Sequence, residues 1–148
     1  MRHGLTSPLA FDQVEKWYRI ILDDPEAWPD PFSSDTRYQA ALSLAEAEVR
    51  LERARVAEAE AVQSLELGRE EKGLFDGFPK EAIASLDEDL RALVRVARRI
   101  DRLNASAGEN RLRLTTRYRR EAEAQRRKAL NRWIKIQSGF PKQSQILP

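Results

Sequence analysis

The chain has 148 residues, of which 34% are charged, 41% hydrophobic and only 7% aromatic, a balance that fits one domain built from long helices around a thin apolar seam. With no cysteine, disulfides, thiolate metal sites and thiol nucleophiles are excluded, and the one histidine, His3, cannot assemble a multi-histidine centre. No apolar run reaches the roughly 18 residues that span a bilayer, and the first 25 residues lack a signal-peptide core, so a soluble, cytoplasmic protein is expected.

Ser7 followed by Pro8 reads as a helix start, a capping hydroxyl with proline in the first turn, and Leu9, Phe11, Val14, Trp17, Tyr18 and Ile21 supply an apolar face. This first helix is predicted to end near Leu22. Pro25, Pro29 and Pro31 then hold the stretch from Asp23 to Phe32 extended, with Trp28 and Phe32 expected to plug a gap between helices. From Ser34 to about Leu67 there is no Gly or Pro, the composition of a helix about 50 Å long. Tyr38, Leu42, Ala45, Val49, Glu52 and Val56 recur at spacings of four and three, and Leu44, Ala47, Leu51 and Ala54 mark a second stripe. That pattern predicts neighbours on two sides, as in bundles, coiled coils and oligomers. Gly68, Gly73, Gly77 and Pro79 predict a loop carrying Leu74, Phe75 and Phe78.

A third helix follows Pro79, with Ile83, Leu86, Leu90, Leu93, Ala97 and Ile100 as its core face. Its acids come first, at Glu81, Asp87, Glu88 and Asp89, and its arginines last, at Arg91, Arg95, Arg98, Arg99 and Arg102, an order that complements the helix dipole. The stretch from Asn104 to Asn110, containing Gly108, reads as a turn; if it stays helical, the last two helices merge into one rod. A fourth helix runs to about Gln137 and is stopped by Gly139 and Pro141, leaving a tail that ends in Ile146, Leu147 and Pro148.

Charge is unevenly placed. Of 26 Lys and Arg residues, 11 lie in positions 108–148 beside three acids, a formal +8, while the first 107 positions carry −6. At 100° per residue, Leu114, Tyr118, Ala122, Ala129, Trp133 and Ile136 of the fourth helix gather on one side, and Arg113, Arg117, Arg120, Arg127, Lys128 and Lys135 gather roughly opposite. Such a ridge suits salt-sensitive, sequence-independent contact with the phosphates of double-stranded DNA. Docking on an acidic protein surface is the next reading, and plain solvation the third. Base readout has no carrier in this sequence, which shows no helix-turn-helix, zinc finger or single-strand-binding sheet. An enzyme is not expected either: there is no glycine-rich phosphate loop, no metal-ligand spacing and no nucleophile beside a base, and no cofactor is implied. Asp87, Glu88 and Asp89 occupy adjacent positions that point in different directions, which is poor geometry for Mg²⁺.

Two short motifs carry a family resemblance. The opening Arg2, His3, Gly4, Leu5, Thr6, Ser7 resembles the lysine- or arginine-His-Gly-Leu/Phe-x-Ser element near the start of many phage and mobile-element proteins, phage terminase small subunits among them. Residues 112–130, with Thr116, Arg117, Tyr118 and then Arg126, Arg127, Lys128, Ala129, Leu130, resemble the arginine-tyrosine helix of a bacterial group that shares that opening. The resemblance implies a small terminase subunit, which assembles into a ring, binds viral DNA and presents it to the large ATPase-nuclease subunit. Many such subunits begin with a helix-turn-helix domain. Here one short helix precedes the prolines, so DNA contact falls to the fourth helix or to the charged surface of the ring.

Taken together, these features predict an all-α protein, a long antiparallel helical hairpin or bundle with a short N-terminal helix and proline-rich connector in residues 1–32, the long helices in 33–138 and a tail in 139–148. The expected function is that of a non-enzymatic homo-oligomer that binds duplex DNA, and the resemblance implies delivery of that DNA to a large terminase subunit. The alternative is a structural or adaptor protein whose basic helix docks on an acidic protein surface.

Overall fold

The computed structural model describes residues 8–70, 73 and 77–139, and these contain four α-helices and no strand: α1 (Phe11–Leu22), α2 (Thr36–Glu70), α3 (Lys80–Ala84) and α4 (Glu88–Gly139). The all-α expectation holds. Contacts divide the chain into two units, Met1–Val56 with Arg117–Pro148, and Ala57–Thr116, so α2 and α4 each contribute one half to each unit.

In the first unit, α1 turns Val14, Tyr18 and Leu22 inward, a single row at four-residue spacing. The helix ends where Asp23 adopts the left-handed conformation, with φ of 51°, and the amides of Asp23 and Asp24 return to Ile20 O and Arg19 O. Its expected start at Ser7 lies outside the described residues; helical geometry begins at Phe11, with Ala10 as a cap that offers no side-chain bond. The connector is a series of aspartate-centred turns instead of an extended strand. Asp24 Oδ1 accepts from the Glu26 amide, Asp30 Oδ1 from Phe32 and Asp35 Oδ1 from Arg37, each at 2.8–2.9 Å, because a carboxylate two residues upstream competes well for a free amide. Trp28 and Phe32 are 65% and 93% exposed, so they plug no gap; Trp28 only leans on the Phe11 ring, centroids 5.5 Å apart.

The first half of α2 is buried on both sides, with Ala40, Ala41, Leu44, Ala45, Ala47, Val49, Leu51 and Ala54 all inward, which bears out the second stripe in full and the first only at Leu42, Ala45 and Val49, Glu52 being exposed. Tyr38 and Val56 at the ends of the first stripe are exposed. Val14, Tyr18, Leu22 and Trp133 meet Ala40, Ala41, Leu44, Ala45 and Val49 in one core cluster, and Leu51 and Ala54 meet Ala122 in another. As α2 advances from Ala41 to Ala54 its α4 partner retreats from Trp133 to Ala122, so the two helices run antiparallel in this unit. The alanines let them approach closely. Burial raises the Tyr18 phenol above its ordinary value of 10.0, helped by Tyr38 and the carboxylates of Asp30 and Asp35 and opposed by Arg37.

The second unit differs from the sequence reading at four points. α2 passes Gly68 without a break and ends at Glu70, and α4 passes the stretch from Asn104 to Asn110 as unbroken helix, so the last two predicted helices are one. A glycine costs a helix interior about 1 kcal/mol, whereas a break orphans four N–H and four C=O groups at the new ends. At Gly108 there is room for a side chain, since an added Cβ would sit 3.4 Å from Leu65 Cδ1. The predicted third helix begins as the five-residue α3 and then stops. The Ser85 hydroxyl donates to Ala82 O, and Asp87 Oδ1 accepts the Leu90 amide at 2.9 Å, which makes Asp87 the cap of a new helix. Finally, the expected core face is largely uncovered: Leu90, Leu93 and Ile100 are exposed, Ile83, Leu86 and Ala97 half-buried, and Val94 is the one buried residue in this half of α4 before Thr115.

Candidate nucleic-acid interface

α4 supplies the candidate site. In the first unit Ala122 and Trp133 are buried, and Tyr118, Ala129, Leu130 and Ile136 are half-buried, so the apolar arc faces the core as its phase predicts. Leu114, in the second unit, is half-buried. Arg117, Arg120, Arg127, Lys128 and Lys135 of the first unit are all exposed on the opposite arc. Between them stand the short side chains of Ala124 and Asn131, which leave the cationic heads unshielded. Arg113 is exposed as well and belongs to the second unit. The five residues of the first unit span 18 positions, about 27 Å of helix.

Two populations of arginine occupy this helix. The half-buried ones are paired with carboxylates: Arg126 Nε donates to Glu48 Oε1 at 2.6 Å between helices, and Arg119 pairs with Glu123 at 2.8 Å along its own helix. On the outward arc only Arg117 has a carboxylate partner, Glu121 at 3.1 Å, and both of those side chains are more than half exposed. A pair held that loosely in water contributes little and opens readily to a competing anion. Arg113, Arg120, Arg127, Lys128 and Lys135 form no ion pair with any described residue.

Arg132 also stands at this surface, outside the arc that helical phase assigns to the cations. At 100° per residue it shares the phase of Leu114, which assigns it to the apolar side, yet it is exposed and without an ion pair among the described residues. The signal that finds it is local: Lys128, Arg132 and Lys135 stand at i, i+4 and i+7, one row on a helix surface. Arg37, from the start of α2, lies over the Trp133 ring at 5.9 Å, a cation that braces the core aromatic.

The chemistry on offer is that of fixed cations on a rigid rod, suited to phosphate oxygens and unsuited to reading base edges. Among the described residues no group of three or more acidic or histidine side chains is placed to hold a metal ion, and Asp87 serves as a helix cap. No described helix is long and apolar enough to cross a membrane. No family model matches the chain, and neither a curated protein nor a solved structure matches it.

Proposed function

We propose that this chain is a non-enzymatic, self-associating protein that binds double-stranded DNA through the outward cationic arc of α4, without sequence preference. The observation that carries the reading is the division of labour along one helix: carboxylates pair the half-buried arginines Arg119 and Arg126, while Arg120, Arg127, Lys128 and Lys135 are left to water. Of the two acids on this stretch of α4, Glu123 pairs Arg119 and only Glu121 reaches the outward arc, where it meets Arg117 and leaves the other four cations to water. Duplex DNA presents one negative charge per about 1.7 Å of axis, so a 27 Å row of five cations meets several phosphates at once.

The role we assign is that of a phage-type small terminase subunit, which delivers DNA to a large ATPase-nuclease subunit. That part follows from the resemblance of residues 112–130 and of the opening from Arg2 to Ser7, the latter outside the described residues.

Replacing Arg113, Arg117, Arg120 and Arg127 with glutamine tests the binding surface. The variant is expected to keep its helicity, to lose duplex affinity at low salt, and to flatten the dependence of log affinity on log salt by about 0.9 for each phosphate contact removed. Unchanged affinity in the folded variant overturns the assignment. A folded variant that loses instead the capture of an acidic protein favours the adaptor reading.

A further inference from the structure

The second unit leaves a row of large apolar side chains uncovered. Leu93, Val96, Ile100 and Leu103 on α4 are 60%, 55%, 51% and 60% exposed, and their spacing of three, four and three places them on one line along the helix. Half-buried Ala92 and Ala97 flank that line, side chains small enough to let another helix approach. The row ends in charged residues: Asp89 in the first turn and, beyond exposed Ala107, exposed Arg111. Four consecutive seam positions, each more than half open to water, form a patch of the kind that marks an interaction site. Three-four spacing is the spacing of a helix-helix seam.

We propose that this seam is covered by the same seam of a second copy of the chain, the two α4 helices running antiparallel about a two-fold axis near position 98. In that register Leu93 meets the second copy's Leu103 and Val96 meets its Ile100, so all four apolar residues of each copy find apolar partners. The ends choose the direction. Antiparallel pairing sets Asp89 opposite the second copy's Ala107, one turn from its Arg111, whose long side chain leans back toward that aspartate, twice by symmetry, whereas parallel pairing sets Asp89 against Asp89 and Arg111 against Arg111. Arg95 and Arg102 stay on the water side of the pair. Arg99 faces its own counterpart across the axis, and the apolar core covers only about 15 Å of helix, so the dimer is a weak one. This assignment rests on the self-association in the functional reading and is independent of its DNA contact.

Sedimentation equilibrium of the full chain without DNA, compared with Ile100→Glu, tests it. Ile100 is exposed in one copy, so the variant keeps its fold and helicity; in the pair it buries an unpaired carboxylate twice, and the dissociation constant is expected to rise on the order of a hundredfold or more. The chain contains no cysteine, which makes orientation measurable. A mixture of Leu93→Cys and Leu103→Cys is expected to form the mixed disulfide. Leu93→Cys by itself is not, because its two copies lie about 15 Å apart along the axis and a disulfide needs α-carbons within about 7 Å. A wild-type chain that stays monomeric from micromolar to submillimolar concentration overturns the proposal, as does an unchanged mass in Ile100→Glu. Efficient cross-linking of Leu93→Cys alone overturns the antiparallel register. If Ile100→Glu is monomeric and still binds duplex DNA, the seam is upheld apart from the DNA reading; if the glutamine variant still dimerises and loses DNA, the DNA reading is upheld apart from the seam.

Discussion

α4 passes through both units with the same kind of amphipathic pattern and meets opposite fates. In the first unit its apolar arc is sealed, since α1 and α2 together bring Tyr18, Leu44, Val49 and Trp133 below a tenth exposure. In the second unit the equivalent row, Leu93 to Leu103, stands more than half open, and the short α3 has no fully buried residue. Periodicity alone therefore marks which face of a helix is apolar, and what covers it depends on a third element being present. A stretch that looks like core in sequence can be an interface in waiting.

That contrast can be broken most directly by truncating one residue on each side of it. Trp133→Ala is expected to cost about 3–5 kcal/mol in chemical denaturation, through lost transfer energy and an uncollapsed cavity. Ile100→Ala at a concentration below association is expected to change stability by no more than about 0.5 kcal/mol, because the side chain is already in water. Equal costs for the two substitutions would erase the distinction between the units. A smaller effect probes the electrostatic seal of the first unit. Glu48→Gln removes the inter-helix partner of Arg126 and should cost about 1 kcal/mol, the side chains being only partly withdrawn from solvent. Repeating the measurement with Glu121→Gln, at the exposed pair with Arg117, should give close to nothing. The last effect is a gain. Gly108→Ala places its Cβ at an ordinary 3.4 Å from Leu65 and recovers helix propensity, so the second unit should become more stable by up to about 1 kcal/mol. Loss of stability there would mean that Leu65 cannot yield.

Much of the fold was legible because its signals are local and strong. The end of α1 before Asp23, the length of α2 and its second stripe, and the inward arc of α4 around Trp133 all follow from spacing and from the placing of prolines. The misreadings have specific causes. Gly68 and Gly108 look like breakers, yet each costs a long helix less than a break would. Ser85 to Asp87 look like helix interior, yet Asp87 finds a better use as a cap. Trp28 and Phe32 look like core because they are aromatic, and the aspartate turns around them fix a backbone that turns them out. For the candidate site, the outward arc from Arg113 to Lys135 was readable from phase. The separation of paired from unpaired arginines was not, because Arg126 meets Glu48 across 78 positions of chain.

On the proposed reading the outward arc of α4 holds phosphates, and the slope of duplex-DNA affinity against salt measures this most directly. Five contacts from Arg117, Arg120, Arg127, Lys128 and Lys135 predict that log affinity falls against log salt with a slope of about −4.5, equal for unrelated duplex sequences. No measurable duplex binding at low salt, or binding whose slope lies near zero, would contradict it.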